Sequence, residues 1–325
     1  MSSLISLQCQ LLCACGCSYN INNATGVYTS PAGDPFGPAI GWTTGVPVSI
    51  VGGDFNENAA LVGKVNLTIN NTPTESIVIA FQGTIPPALN IISIVDWLTD
   101  LMDEPTTASA RIPGLVHSGI LEDVNDIFGS IVAAVQNLQN AGSTLPVYVT
   151  GHSKGGGMAP VFTALLATGI PFLFAPTAVY TFASPMIGNQ DFVDGFPSNI
   201  PVYRFENNLD IVPFLAPSSA FISTLEAQAG LSTPELDAII IAFTTLGGDG
   251  EWGYVPLGEL NFVNGSSVTN PPANPCANNM AIALAQGSSG LAEVEAAHSH
   301  LCNAGYMNGT CNNSGVCPVG NQMKY

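Results

Sequence analysis

The pattern of hydrophobic and polar positions predicts strands that alternate with helices. Short runs of β-branched and other apolar residues are typical of strands that are buried in a sheet. The predicted strands are 46–52, 60–70, 76–81, 147–150, 178–182 and 202–205. Apolar residues at helical spacing predict helices over 5–19, 118–140 and 158–168, with Pro160 kinking or delaying the last. This alternation predicts an α/β fold with a mostly parallel central sheet flanked by helices.

The segment Gly151-His152-Ser153-Lys154-Gly155 lies between a predicted strand and a predicted helix. A serine on a sharp strand-to-helix turn presents its Oγ at the sheet edge, and glycines two residues before and after it let strand and helix approach closely. The chain has 34 glycines, so a G-x-S-x-G match alone is a weak signal. Its position between strand and helix makes Ser153 the candidate nucleophile, against the alternative of a glycine-rich turn with an incidental serine.

The charge balance excludes some classes of partner. Five Lys and Arg residues face 23 Asp and Glu residues, which gives a formal net charge of −18. No basic patch can be assembled from so few cations, so nucleic acid is not an expected partner, and electrostatic docking to anionic membranes is disfavoured. Hydrophobic contact with a neutral lipid surface is still compatible with this composition. No stretch has the length and purity of an integral membrane segment.

Eight cysteines form one group near each end of the chain, with none in the long middle section. They are Cys9, Cys13, Cys15, Cys17, Cys276, Cys302, Cys311 and Cys317. The even number and the grouping favour disulfides that tie the terminal segments down, over free thiols and, least favoured, a zinc site. We therefore expect a secreted protein. Residues 1–18 lack a basic region and predict a buried helix rather than a signal peptide, so the sequence would begin after a removed signal.

N-glycosylation sequons give secretion only weak support, because the chain is rich in asparagine. The six acceptor residues are Asn23, Asn66, Asn70, Asn264, Asn308 and Asn312.

Six short segments follow one another in a recognisable order. They are FQGT at 81–84, DWLTDL at 96–101, VHSG at 116–119, VTGHSKGG at 149–156, YTFASP at 180–185 and RFENNLDIVP at 204–213. In this order they resemble the motifs of the class 3 lipase family, the fungal-lipase-like α/β hydrolases. The resemblance covers residues 60–217, with a weaker match near residue 300. It implies an α/β-hydrolase fold and hydrolysis of lipid esters by a serine nucleophile.

Some positions depart from the family pattern. Gln82 and Met186 stand where arginines are usual, and Lys154 stands where a leucine is common. The separation between Asp210 and the C-terminal histidines is longer than the resemblance leads us to expect, which predicts an insertion within 216–297. That segment is otherwise expected to form helices and loops packed on the sheet. We find no internal repeat or linker, so we expect a single domain over 1–325.

Ester hydrolysis by a serine needs a base, a carboxylate that orients the base, and donors for the oxyanion. In α/β hydrolases the order along the chain is Ser, Asp or Glu, His, and Ser153 and Asp210 fit it. Asp210 follows a predicted strand, and open α/β sheets place active-site groups at such strand ends. Its alternative role is to cap a turn. A rival carboxylate cluster precedes the serine, and solvated or capping roles are expected for most of its members: Asp96, Asp100, Asp103 and Glu104.

The chain has four histidines as candidate bases. The family resemblance makes His117 structural, and His152 is adjacent to Ser153, so its side chain should point to the opposite face. His298 and His300 remain. His300-Leu301, followed by GTC at 309–311, resembles the tail of the fungal members, so we favour His300 as the base and keep His298 as the alternative. Both would otherwise be polar residues of a surface loop.

The oxyanion hole is expected from the backbone N–H groups of Lys154 and Thr84, with the Thr84 hydroxyl as a third donor. The Lys154 side chain either adds positive potential or extends into solvent. The strongly apolar segment 85–95 follows Thr84. The resemblance implies a lid there, which would cover the site until an oily surface offers better burial. An ordinary core helix is the alternative.

The sequence thus predicts a secreted lipase or carboxylesterase that hydrolyses acylglycerol-type lipid esters through an acyl-enzyme, with an oil–water interface as the expected place of action. It needs neither metal nor cofactor. The nearest alternatives are a phospholipase A1 or a feruloyl-type esterase. A catalytically silent lipid-binding protein on the same fold is an alternative from a different class, and a peptidase or amidase is less favoured.

Overall fold

The structure is a computed structural model that describes most of the 325 residues. The described ranges are 5–43, 45–54, 57–84, 104–109, 111–139, 144–169, 174–215, 218–227, 233–246, 252–273, 275, 277–301, 305–311 and 316.

Fourteen strands lie in these ranges. They are β1 (Ile21–Asn22), β2 (Val27–Tyr28), β3 (Val48–Gly52), β4 (Asn58–Ile69), β5 (Thr72–Phe81), β6 (Pro105–Thr106), β7 (Val116–His117), β8 (Val147–His152), β9 (Ala178–Phe182), β10 (Gly188–Asn189), β11 (Val202–Asn207), β12 (Tyr254–Val255), β13 (Glu259–Asn264) and β14 (Ser267–Thr269).

The helices of the described ranges are α1 (Leu7–Ser18), α2 (Phe36–Ile40), α3 (Ser118–Leu138), α4 (Lys154–Gly169), α5 (Gln190–Gly195), α6 (Ser219–Glu226), α7 (Pro234–Leu246), α8 (Ala277–Leu284), α9 (Ser288–His298) and α10 (Gly305–Thr310), with a short 3-10 helix at Val212–Phe214.

An eight-stranded sheet forms the centre of the fold. Its strands lie in the order β14-β13-β11-β9-β8-β5-β4-β3. The five strands from β13 to β5 run parallel, and the flanking strands pair antiparallel with their neighbours. The predicted fold class, a mostly parallel sheet flanked by helices in an α/β-hydrolase arrangement, is confirmed. The carboxyl ends of the parallel strands therefore meet at one edge, where β8 and β11 bring His152 and Asn207.

The two faces of this sheet are covered by two apolar clusters. Strand β5 alternates between them, with Ile77 and Ile79 in one cluster and Val78 and Ala80 in the other. The first cluster contains the buried stripes of α3 and α4, as the helical spacing of α3 predicts. The second contains α1, which is buried on nearly all sides, together with α2 and α10. The nucleophile region lies where both helical layers reach the edge of the sheet.

Helix α4 begins directly at Lys154, so of the two expected effects of Pro160 the delay is wrong, and the kink stays a prediction. Pro160 lies inside the helix. The helix starts one residue after Ser153. The Ser153 carbonyl accepts the N–H groups of Gly156 and Gly157 at 2.8 and 3.3 Å and so forms the first turn. The chain is thus already turning into the helix six residues before the proline.

The segment after Asp210 builds an apolar cluster of its own from α6, α7, α8 and α9. The expectation of helices and loops alone over 216–297 is wrong in part. Strand β13 pairs parallel with β11 and extends the central sheet, and β14 pairs with β13. Polar residues interrupt the short apolar pattern of β13, so its hydrogen bonding to β11 decides its structure more than its own sequence does. The insertion and the single domain stay predictions, and the predicted lid at 85–95 lies outside the described residues.

A disulfide joins Cys9 on α1 to Cys311 after α10, which confirms a covalent tie between the terminal segments. The preference for disulfides over free thiols is wrong for Cys13, Cys15 and Cys17, which are buried free thiols on α1. Burial raises the pKa of Cys15 and of Cys17 to about 12. The other three cysteines lie outside the described residues. No helix of the described ranges is both long and apolar enough to cross a membrane.

Candidate active site

Ser153 occupies a sharp turn between β8 and α4. Its φ of +58° lies in the left-handed region, which a residue with a Cβ rarely adopts. The turn is held by the Ser153 N–H, which donates to the Phe182 carbonyl at 2.9 Å. Such a strained backbone holds the side chain at the carboxyl edge of the sheet, ahead of the N-terminus of α4.

The two glycines of the motif are needed for close backbone approach. A Cβ on Gly151 would collide with the Gly155 backbone. A Cβ on Gly155 would lie within 2.9 Å of the Gln82 carbonyl oxygen at the end of β5. The strand, the turn and the helix therefore pack together only because side chains are missing at these two positions.

His298 is the histidine that reaches the serine. It is the last residue of α9, and its Nε2 lies 3.0 Å from Ser153 Oγ. Its other ring nitrogen, Nδ1, lies 3.0 Å from Asp210 Oδ1. Both distances are within the reach needed for proton transfer and for orientation of a base.

Asp210 is fully buried but has a hydrogen-bond partner for each carboxylate oxygen. Besides His298, Oδ1 accepts the Val212 N–H at 3.0 Å. Oδ2 accepts the hydroxyl of Tyr306, on α10, at 2.6 Å. A buried carboxylate is tolerated only with such partners. Burial, followed by the charge of Asp210, raises the pKa of Tyr306, so this phenol stays a hydrogen-bond donor.

This geometry corrects the preference for His300 as the base. His300 lies beyond the end of α9 and is buried, with its ring stacked on that of Tyr19 at a centroid distance of 4.2 Å. Burial, followed by the charge of His298, lowers the pKa of His300 to about 3. The sequence did carry a signal for the alternative: Leu291, Val294 and His298 are three and four residues apart, on one face of a helix whose bounds we did not predict.

Both ring nitrogens of His152 contact groups other than Ser153 Oγ. Its Nε2 lies 2.7 Å from the backbone carbonyl of His298, and its Nδ1 lies 2.8 Å from the Tyr19 hydroxyl. His117, expected to be structural, accepts the N–H of Ile120 with Nδ1 and caps α3.

The segment that carries Thr84 passes close to the nucleophile. A Cβ on Gly83 would lie 3.0 Å from Ser153 Cβ and 2.6 Å from the His152 carbonyl oxygen, and it would collide with the Tyr19 hydroxyl. Thr84, the next residue, is half-buried. As the first residue of α4, Lys154 has an N–H that lacks an intrahelical carbonyl partner. The two expected oxyanion donors thus lie on segments that converge at Ser153.

The Lys154 side chain neither points to the serine nor extends freely into solvent. Its Nζ lies 3.3 Å from Asp123 Oδ2 and donates to Asn58 Oδ1 at 2.9 Å. Asn58 in turn donates to Asp126 at 3.0 Å. This network ties the start of α4 to α3 and β4.

Comparison with known proteins places these motifs in a family. Residues 78–220, which include Ser153 and Asp210, match the family Lipase (class 3). This central segment therefore resembles the class 3 lipases.

Two curated fungal relatives and one solved structure are similar to this chain. "Secreted mono- and diacylglycerol lipase 1" of Fusarium solani is 34% identical over 128 residues, which are 39% of this chain and 37% of the relative. "Lipase" of Rhizomucor miehei is 30% identical over 147 residues, 45% of this chain and 39% of the relative. The alignments therefore span less than two fifths of either relative. The crystal structure of mono- and diacylglycerol lipase from Aspergillus oryzae shares the fold, with a TM-score of 0.61, 20% identity and coverage of 94% of this chain and 97% of that chain.

Sequence reasoning missed three residues that hold the candidate active site together. They are Tyr19, Asn207 and Tyr306. Two are tyrosines near the ends of the chain, far in sequence from the groups they contact, and no local pattern marks them.

Of the rival carboxylate cluster, Glu104 lies in the described part of the chain and its backbone carbonyl accepts the Ser118 N–H.

Proposed function

We propose that this protein is a serine carboxylic-ester hydrolase that acts on acylglycerol-type lipid esters, with Ser153, His298 and Asp210 as its catalytic triad. The observation that carries the proposal is the continuous path of two 3.0 Å contacts from Ser153 Oγ through the His298 ring to Asp210. The motifs of the class 3 lipases and the names of the fungal relatives support the choice of lipid esters.

The reaction proceeds through an acyl-enzyme. Ser153 Oγ attacks the ester carbonyl while His298 Nε2 accepts its proton, and the buried Asp210 carboxylate holds the imidazolium that forms. The backbone N–H groups of Lys154 and Thr84 donate to the oxyanion, with the Thr84 hydroxyl as a third donor. His298 returns the proton to the leaving alcohol, and water then hydrolyses the acyl-enzyme with the same base.

We also propose that the protein works outside the cell. The Cys9–Cys311 disulfide supports an oxidising environment, and the Fusarium solani relative is named as secreted. We expect the protein to meet its substrate at an oil–water interface. The predicted lid at 85–95 would cover the active site until the protein reaches that interface.

Ester hydrolysis by matched variants tests the proposal. We would measure the rate of hydrolysis of p-nitrophenyl esters of two-, eight- and sixteen-carbon acids. The same measurement would then be made with emulsified mono-, di- and triacylglycerols and with a phospholipid. Ser153→Ala and His298→Ala should each lose more than about 10³-fold in kcat, because each removes a member of the triad. His300→Ala is the matched control, since it removes an imidazole two residues away that does not face the serine.

The outcomes separate the alternatives. A larger loss in His300→Ala than in His298→Ala would return the base to His300. Faster release of fatty acid from phospholipid than from acylglycerol would favour a phospholipase A1. No hydrolysis of any ester, together with no fluorophosphonate adduct on Ser153, would leave a lipid-binding protein without activity.

A further inference from the structure

The end of helix α9 is held by side chains from two strands of the central sheet. The last carbonyls of a helix lack intrahelical partners. Here the Ala297 carbonyl accepts Nδ2–H of Asn207, the last residue of β11, at 2.7 Å. The His298 carbonyl faces Nε2 of His152, the last residue of β8, at 2.7 Å. The helix that carries the proposed base is thus fixed to the carboxyl edge of the sheet at its final turn.

The partners of His152 define its protonation state. A carbonyl only accepts hydrogen bonds, so Nε2 must carry the proton that reaches His298. In the neutral ring Nδ1 is then an acceptor, and the Tyr19 hydroxyl donates to it at 2.8 Å. The ring is buried, and that burial, followed by the charges of His298 and His300, lowers the pKa of His152 well below its ordinary value. A neutral His152 with its proton on Nε2 satisfies every one of these contacts.

We propose that His152 is a positioning residue for His298, and that Tyr19 fixes the tautomer in which it works. The inference rests on the proposed function of His298 as the base. His152 and Ser153 are joined by a peptide bond. The hydrogen bond from His152 to the His298 backbone therefore fixes the position of the base relative to the adjacent nucleophile. The 3.0 Å contact between His298 Nε2 and Ser153 Oγ completes a closed ring of contacts among these three residues.

The N-terminal segment takes part in this arrangement. Gln82 Nε2 donates to the Ser18 carbonyl at the end of α1 at 2.7 Å, which places Tyr19 between the Gly83 backbone and His152. The Tyr19 ring also stacks on His300 with an interplanar angle of 8°. Tyr19 is therefore held on both sides, and its hydroxyl has a fixed direction toward His152.

Two amide variants of His152 test the inference. In His152→Gln the amide nitrogen takes the place of Nε2 and can donate to the His298 carbonyl. In His152→Asn the amide nitrogen takes the place of Nδ1 and reaches only the Tyr19 side. We expect His152→Asn to lose about 10- to 100-fold in kcat for p-nitrophenyl octanoate, because a base displaced by about 1 Å loses that much, while KM changes little. His152→Gln should recover most of this loss, and the rate of Ser153 labelling by a fluorophosphonate should follow kcat.

Tyr19→Phe provides a second, independent measurement. Without the hydroxyl, nothing from Tyr19 holds Nδ1 as an acceptor, so kcat should fall by a smaller factor than in His152→Asn. Because Tyr19 acts through His152, the double variant should be no slower than His152→Asn alone. If His152→Asn does not fold, Tyr19→Phe with the same kcat and labelling readouts carries the test.

The contradicting results are distinct from those of the proposed function. Equal kcat in folded His152→Asn and wild type, an equal loss in the Gln and Asn variants, or additive losses in the double variant would overturn the positioning role while leaving the triad intact. A wild-type protein that neither hydrolyses esters nor reacts with the fluorophosphonate would overturn both.

Discussion

Single residues in the site differ mainly in how far they are buried. His300 is 3% exposed and His152 is 2% exposed, whereas the His298 side chain keeps 14% of its surface open. A buried imidazole resists protonation because its charge would leave water. The cluster therefore combines one partly accessible ring that can exchange a proton with Ser153 and two buried rings that stay neutral and hold the geometry.

The buried His300 predicts a loss of stability in acid. Its pKa falls from 6.5 to about 3 on folding, so between these values the unfolded state binds a proton that the folded state does not. Stability is full above pH 6.5 and decreases as the pH falls toward 3. At pH 5 the contribution of His300 to this loss is about 2 kcal/mol.

Urea unfolding at pH 7.5 and pH 5 measures this effect. The difference in free energy of unfolding between the two pH values should be smaller by about 2 kcal/mol in His300→Phe, which keeps an aromatic ring on Tyr19. His300→Gln also removes the titration, but it loses the aromatic ring that stacks on Tyr19, so it should be less stable at pH 7.5 with a similarly weak pH dependence. A wild-type pH dependence in both variants would exclude His300 as its source.

At the scale of elements, the junction of β8 and α4 stores strain where the nucleophile lies. Only Ser153 lies between the end of β8 and the start of α4, and it adopts a φ of +58°. A left-handed backbone at a non-glycine residue costs about 1–2 kcal/mol. The strained conformation places the Ser153 hydroxyl next to His298.

Substitutions at Ser153 should separate this strain from the chemistry. Ser153→Gly relieves the left-handed conformation and Ser153→Ala retains it, so the glycine variant should be more stable than the alanine variant by about 1 kcal/mol in urea unfolding. Both variants lack the nucleophile and should not react with a fluorophosphonate. An alanine variant as stable as the glycine variant would show that the turn is not strained.

For the whole molecule, the Cys9–Cys311 disulfide joins residues that are 302 positions apart. It links α1, which directly precedes Tyr19, to Cys311, which directly follows α10. Tyr306 lies on α10. These two tyrosines contact His152 and Asp210. The covalent link therefore limits how far the two terminal supports of the triad can separate.

Loss of this disulfide should weaken both stability and the site. In Cys9→Ser with Cys311→Ser we expect the free energy of unfolding to fall by about 2–4 kcal/mol, since the closed loop restricts the unfolded chain. The Tm of wild-type protein in dithiothreitol should approach that of the double variant. Cys15→Ala is the control for altering α1, because Cys15 is a free thiol. An unchanged Tm in the double variant would contradict the prediction.

The sequence by itself determined the parts of this protein that depend on local patterning. Apolar periodicity marked α1, α3 and most strands of the sheet, and the motif order marked Ser153, Asp210 and the class 3 lipase family. Short-range sterics fix such features, because a strand, a glycine-flanked turn and a helix start each depend on neighbouring residues.

Only the tertiary structure decided which residues complete the site. The contact of His298 with Ser153 spans 145 positions, that of Tyr306 with Asp210 spans 96, and that of Tyr19 with His152 spans 133. Strand β13 likewise depends on its pairing with β11. The choice between His298 and His300 depended on where α9 ends against the sheet, which packing between elements decides. The spacing of His298 from Leu291 and Val294 indicates a shared helix face but does not set its distance from Ser153.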